Sequence, residues 1–287
     1  MEQAIWYSSN IGVAKTILKG YEKNPTKYVE GLYRIGLNED LRLEIPGAGR
    51  AKIRRPDDTV RYWSKTALPW MSFGYETQIP PIYTLAFYNA IANNGKMVRP
   101  IFTKEIMHKT VQSFSTEVIR ESICSERTLN MIKDMLLGVV EKGTGKAVHS
   151  DFVRIAGKTG TAYKVEGGQY VRKYVAGFAG YAPAHNPQIV VGIMIDEPMI
   201  GKHFGSTAAA PLFSEMVSKT LRLMAVNPDR PEDFMVTKND KKPAKAKAQP
   251  AKTHALKESN RARARAPSRT NLKSAKEDHV IKGKTNG

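Results

Sequence analysis

From Val153 to Ile195 the apolar pattern leaves helical spacing for the two-residue alternation of strands, and no other stretch constrains the fold as much. It reads as three consecutive strands, Val153 to Tyr163, Tyr174 to Tyr181 and Gln188 to Ile195. The connection Ala182-Pro183-Ala184-His185-Asn186-Pro187 has the residue types of a hairpin loop, so the last two strands are expected to be antiparallel neighbours. An amphipathic helix from Ala208 to Met224 follows and can lie across such a sheet.

Upstream the pattern is mostly helical. Apolar spacing predicts a helix through Ile11 to Leu18, entered by Ser8-Ser9-Asn10, a second at about Pro80 to Asn93, and a third from Glu126 to Glu141. Residues 36 to 70 are rich in Pro, Gly and charge, which predicts a long irregular connection over the surface. No internal repeat is evident.

The formal charge of +18 suggests a polyanion partner until it is divided along the chain. Residues 238–287 hold 15 Lys/Arg against 4 Asp/Glu and no aromatic residue, whereas the rest carries only +7. Such a segment buries too little apolar surface to offset its ordering entropy and is expected to be disordered. Its Arg261-x-Arg263-x-Arg265 stretch leaves an anionic-polymer-binding scaffold as the alternative function, but without rings to stack on bases nucleic acid is not expected as a partner. The domains are therefore read as 1–226 for the globular body and 227–287 for a basic tail.

Cys124 is the sole cysteine, which excludes an intramolecular disulfide and a thiolate metal cage. The six histidines show no close ligand spacing, so neither a metal nor a cofactor is expected. No apolar run approaches the ~20 residues that cross a bilayer, and Met1 is followed by Glu2, so the chain as written is expected to carry no anchor or export signal.

Two motifs carry chemistry. Ser8-x-Asn10 has an ordinary reading as a helix N-cap, in which side-chain oxygens accept the first backbone N–H groups. Lys158-Thr159-Gly160-Thr161 lies on a predicted strand, where a glycine lets another backbone approach closely; its ordinary reading is a glycine bulge. Their occurrence in this order, with Ser72-Phe73-Gly74-Tyr75 and Gly143-Thr144-Gly145-Lys146-Ala147 between them, favours a shared site. With Trp6-Tyr7-Ser8-Ser9-Asn10-Ile11-Gly12-Val13 and Ala92-Asn93-Asn94-Gly95-Lys96-Met97-Val98-Arg99-Pro100, the chain resembles the transpeptidase domain of class B penicillin-binding proteins, nearest the cell-division type, over about Met1 to Val226.

That resemblance implies an α+β sandwich of the β-lactamase/transpeptidase kind, with an antiparallel sheet between helices. It implies peptidoglycan cross-linking, in which a serine takes the acyl group from a D-Ala-D-Ala stem peptide and passes it to an amine. It assigns Ser8, Asn10 and Lys158 to catalysis and Thr159, Gly160 and Thr161 to the peptide carboxylate and carbonyl. The expected ligands are stem peptides and β-lactams, and the expected partners are proteins of the division or elongation complex. Full-length relatives of this kind sit in the cytoplasmic membrane with the transpeptidase domain in the periplasm.

The chain departs from the family pattern at one point. None of its fifteen serines has a lysine three residues later, so the Ser-x-x-Lys nucleophile is expected to lie before Met1. The resemblance then places two sheet strands before Met1 as well, leaving three C-terminal strands plus helices and an open apolar edge at residues 188 to 195 that favours association. Rival readings are a serine β-lactamase or D,D-carboxypeptidase of the same fold, disfavoured by Ser72-Phe73-Gly74-Tyr75 and Gly143-Thr144-Gly145, and a non-catalytic scaffold.

Overall fold

A computed structural model describes residues 1–60, 62–107, 111–199 and 202–229. In chain order the elements are α1 (Glu2–Trp6), α2 (Asn10–Tyr21), α3 (Pro25–Arg34), β1 (Lys52–Ile53), α4 (Ala67–Met71), β2 (Thr77–Gln78) and α5 (Pro81–Ala92). They continue with β3 (Met97–Val98), β4 (Glu105–Met107), β5 (Val111–Ser113), β6 (Val118–Arg120), α6 (Glu126–Glu141), β7 (Ala156–Glu166), β8 (Gln169–Ala182), β9 (Ile189–Asp196) and α7 (Ala209–Leu223).

The principal sheet is antiparallel in the order β7-β8-β9. Its two faces are separated by the alternation of each strand. On β9, Ile189, Val191, Ile193 and Ile195 join a core built on Phe213, Val217 and Leu221 of α7. Val190 instead joins Tyr83, Ala86 and Ala90 of α5 on the other face. The result is helix on sheet on helix, the α+β sandwich that the resemblance implied. Phe178 and Phe213, both fully buried, meet at 4.5 Å between ring centroids, and burying a side chain of that size stabilises a fold by roughly 1.5–3 kcal/mol.

Local chemistry explains where the elements stop. Ser125 starts α6 by accepting the Thr128 N–H at 3.3 Å, and Glu126 stands in its positively polarised first turn. α3 begins at Asn24-Pro25, where the asparagine accepts the Lys27 N–H and the proline fills the first helical position. Strands β7 and β8 are joined by Gly167-Gly168, both at positive φ (58° and 78°), a two-residue turn whose twist matches the flanking strands.

Several expectations change. The first strand begins at Ala156 rather than Val153, because Val153 and Ile155 are drawn into the α7 core before pairing starts. It continues past Tyr163 to Glu166, and β8 starts at Gln169 rather than Tyr174, since the glycine turn lets the ladder run to its tip. The three strands are not alone: β1-β2, β3-β6 and β4-β5 form two-stranded ladders, and β1 lies inside the stretch expected to be wholly irregular. The body also reaches past Val226, for the Asp229 carboxylate accepts the Arg154 N–H at 2.7 Å. The segment from Lys238 onward, read as a disordered tail, lies outside the described residues.

Candidate active site

β7 is an outer strand of its sheet, and Lys158, Thr159, Gly160 and Thr161 lie along it opposite Ala179, Phe178, Gly177 and Ala176 of β8. Among the described residues no strand pairs with its other edge, so that edge keeps main-chain donors and acceptors for an extended ligand. These four residues form one wall of a cavity of about 560 Å³. Ser8 and Asn10 line it as well, with Ser72, Phe73, Thr144, Phe204 and Gly205. The six residues singled out in the sequence therefore meet in one place.

Ser8 does not cap α2. That role falls to Ser9, whose Oγ accepts the Gly12 N–H at 3.2 Å. Ser8 stands just before it at φ 53°, a left-handed backbone conformation that a non-glycine residue rarely adopts. Its hydroxyl accepts a hydrogen bond from Lys158 Nζ, a contact spanning 150 residues of sequence. Lys158 also donates to the Thr159 carbonyl oxygen at 3.0 Å and to Thr159 Oγ1 at 3.3 Å. Burial in this corner lowers the ammonium from an ordinary 10.5 to about 8.

Thr144 joins the two motifs, and the sequence reading gave it no role. Its Oγ1 is 3.2 Å from Ser8 Oγ and 3.0 Å from Thr159 Oγ1, which completes a chain of hydroxyls beginning and ending at Lys158. The backbone holds it there: the Thr144 N–H donates to the Trp6 carbonyl at 2.9 Å. A Cβ on neighbouring Gly143 would lie 2.1 Å from that same oxygen, so only glycine permits the approach. The Gly-Thr-Gly spelling was visible in the sequence, but nothing local showed that it faces a residue 136 positions away.

Thr161 is already partly engaged, accepting the Gly205 N–H at 3.0 Å while its own proton remains available to a ligand. Asn10, at the start of α2, lines the cavity and is exposed, without a hydrogen bond from its side-chain amide among the described residues. Behind β7 lies a second, apolar trough of about 430 Å³ between α5 and the sheet, walled by Ile82, Leu85, Gly192 and Met194 and again by Lys158, Thr159 and Gly160. Among the described residues no three His, Cys, Asp or Glu side chains converge as a metal would require.

A hydroxyl–ammonium corner beside an open strand edge is the arrangement that the resemblance implied. The family model for the penicillin binding protein transpeptidase domain matches residues 1–218. The chain belongs to the transpeptidase family of class B penicillin-binding proteins. It is 30% identical over 226 residues to the probable peptidoglycan D,D-transpeptidase PenA of Neisseria flavescens, covering 78% of this chain and 52% of that protein. To the probable peptidoglycan D,D-transpeptidase PbpC of Pseudomonas aeruginosa it is 34% identical over 230 residues, covering 79% and 38%. The chain thus spans about half or less of the curated relatives it matches.

Solved structures agree. The apo transpeptidase domain of penicillin-binding protein 3 from Burkholderia pseudomallei matches with a TM-score of 0.67 at 32% identity, over 79% of this chain and 65% of that one. Penicillin-binding protein 3 of Mycobacterium tuberculosis, solved with aztreonam and with ampicillin, matches with a TM-score of 0.65 at 26% identity, over 79% of this chain and 52% of that one. No helix among the described residues of this family member is long and apolar enough to cross a membrane.

Proposed function

We propose that this chain supplies the carboxylate-binding and proton-handling wall of a peptidoglycan D,D-transpeptidase. The observation that carries the reading is the hydrogen bond from Lys158 Nζ to Ser8 Oγ, which ties the Ser-x-Asn turn to the Lys-Thr-Gly strand. A stem peptide ending in D-Ala-D-Ala would lie along the free edge of β7 as an added strand, its carboxylate near Lys158 and the Thr159 and Thr161 hydroxyls. A β-lactam would occupy the same place as a mimic of that end.

In the reaction a serine hydroxyl attacks the penultimate carbonyl, the C–N bond to the terminal D-Ala breaks, and the leaving amine needs one proton. The Ser8 hydroxyl, in contact with an ammonium whose pKa is near the working range, can pass that proton on, and Lys158 can restore it. Thr144 and Thr159 hold Ser8 and Lys158 in register. A backbone N–H of β7 at Thr161 would donate to the developing oxyanion. The attacking serine belongs to a Ser-x-x-Lys motif, which none of the fifteen serines of this sequence forms. The full enzyme would work on the outer face of the cytoplasmic membrane together with other division or elongation proteins.

The test separates recognition from chemistry. Calorimetric titration of the 287-residue chain with N-acetyl-Lys(acetyl)-D-Ala-D-Ala should show saturable binding that the L-Ala-L-Ala isomer lacks, and intact-mass analysis after exposure to fluorescent penicillin should show no added mass. Equal binding of both isomers would sink the cleft assignment. A stoichiometric penicilloyl ester would sink the claim that the attacking residue is not among these serines.

A further inference from the structure

Outside the hydroxyl chain, seven aromatic rings form an unbroken path, and both ends of the path are walls of the 560 Å³ cavity. It starts at Phe73, whose ring centre lies 5.9 Å from that of Trp70 and 5.8 Å from that of Tyr75. Trp70 stacks on Tyr170 of the β7–β8 hairpin, 5.9 Å away and tilted by 22°. From Tyr170 the path runs back down the hairpin through Tyr163 at 6.3 Å to Tyr174 at a further 4.8 Å. It closes on the loop before α7, where His203 stacks on Tyr174 at 4.2 Å and touches Phe204 at 4.3 Å.

A rim of this kind could simply clamp three loops together, but a clamp would bury its rings. Trp70, Tyr163, Tyr170 and Phe204 leave 37%, 49%, 51% and 54% of their surface in water. A run of exposed rings on a soluble chain marks a binding surface. The chemistry of the rim narrows the occupant. Ring faces carry negative quadrupole charge and attract polarised C–H bonds, while tyrosine hydroxyls and the adjoining Lys173–Glu166 and Lys164–Asp196 pairs offer hydrogen bonds at the edges. A pyranose ring has this combination, with a C–H face bordered by hydroxyl and acetamido groups. An aliphatic partner surface would leave the hydroxyls unused.

We propose that the aromatic rim binds the glycan strand, a β-1,4-linked N-acetylhexosamine polymer, from which the stem peptide enters the cavity. This inference rests on the transpeptidase reading, because continuity between rim and cavity selects a glycan bearing a peptide over a free sugar. The path from Phe73 to Phe204 lets sugar and peptide be held together, so that chain ends near the cleft are concentrated without any contact to the reacting bond.

The experiment uses the full chain, chitotetraose as the sugar probe and N-acetyl-Lys(acetyl)-D-Ala-D-Ala as the peptide probe. The parent should bind chitotetraose saturably. The double substitution Tyr163→Ser with Tyr170→Ser should weaken that binding about tenfold or more, since stacking on one ring contributes of the order of a factor of ten. Tyr170→Phe, which keeps the ring and loses one edge hydroxyl, should weaken it far less than the double substitution, and tripeptide affinity should be the same in all three proteins, which also reports that they are folded. Tripeptide binding by a parent that does not bind chitotetraose overturns the rim proposal, as does a folded double variant that binds the sugar as the parent does. Sugar binding lost on the double substitution, in a parent that fails to bind tripeptide, supports the rim and counts against the cleft assignment instead.

Discussion

Lys158 gives the sharpest quantitative consequence. Its ammonium is lowered from 10.5 to about 8 by burial, so the cation fraction falls from about nine tenths at pH 7 to about one tenth at pH 9. If a peptide carboxylate is held by the charged form, its affinity drops about tenfold across that interval, and a peptide ending in an amide shows no such slope. The same group also fixes the sign of a stability change. Below pH 8 the lysine is charged in both folded and unfolded chains; between about 8 and 10.5 the folded chain has lost a proton that the unfolded chain keeps. Stability contributed by this group therefore rises with pH through that window, by at most about 3 kcal/mol, while ligand affinity falls. Calorimetric affinities for N-acetyl-Lys(acetyl)-D-Ala-D-Ala at pH 7, 8 and 9, alongside urea unfolding at each pH, measure both. An affinity flat from pH 7 to 9 in folded protein would refute the claim that a half-desolvated ammonium holds the carboxylate.

Thr144→Val removes the hydroxyl between Ser8 and Thr159 while keeping its shape, and should lower unfolding free energy by about 1 kcal/mol and weaken tripeptide binding, with Thr144→Ser restoring both; urea titrations that cannot tell the valine variant from the parent would remove Thr144 from the site. The outer edge of β9 is apolar and unpaired among the described residues. Met194→Lys, at a residue 56% exposed there, should therefore raise the monomer fraction in light scattering, whereas a parent already monomeric at high concentration contradicts the idea of a sticky edge.

Much of the sheet and its covering helices was legible because burial on one face imposes a period on the residues that pay for it. The helix expected at roughly Glu126 to Glu141 is α6, and the one expected from Ala208 to Met224 is α7, shorter by one residue at each end. α3 has no counterpart in the sequence reading, although Tyr28, Val29, Leu32 and Tyr33 recur at helical spacing and Asn24-Pro25 is a usable start signal. α1 is a five-residue helix whose Trp6 gains meaning only against α6, which no local window contains. The ends of β7 and β8 differ from the expected ones for a local reason, since Gly167-Gly168 forms the hairpin turn and the ladder runs to its tip.

The site divides in the same way. Lys158 to Thr161 could be read as a unit because the residues are contiguous and sit on one strand. Ser8 stands out by its motif, and its ordinary explanation as a helix cap is excluded by the structure, in which Ser9 caps α2. Thr144 and Gly205 reach the cavity through loops from distant parts of the chain, and their geometry follows from how helices pack rather than from any neighbouring residue.

Lys158, Thr159 and Gly160, which wall the cavity from β7, also back onto the apolar trough under α5. Anything seated in that trough would strip water from the rear of Lys158, and stripping water favours its neutral amine. The strand is a thin partition between the two cavities, so an apolar body pressed against one side would lower the proton affinity of Lys158 without entering the other.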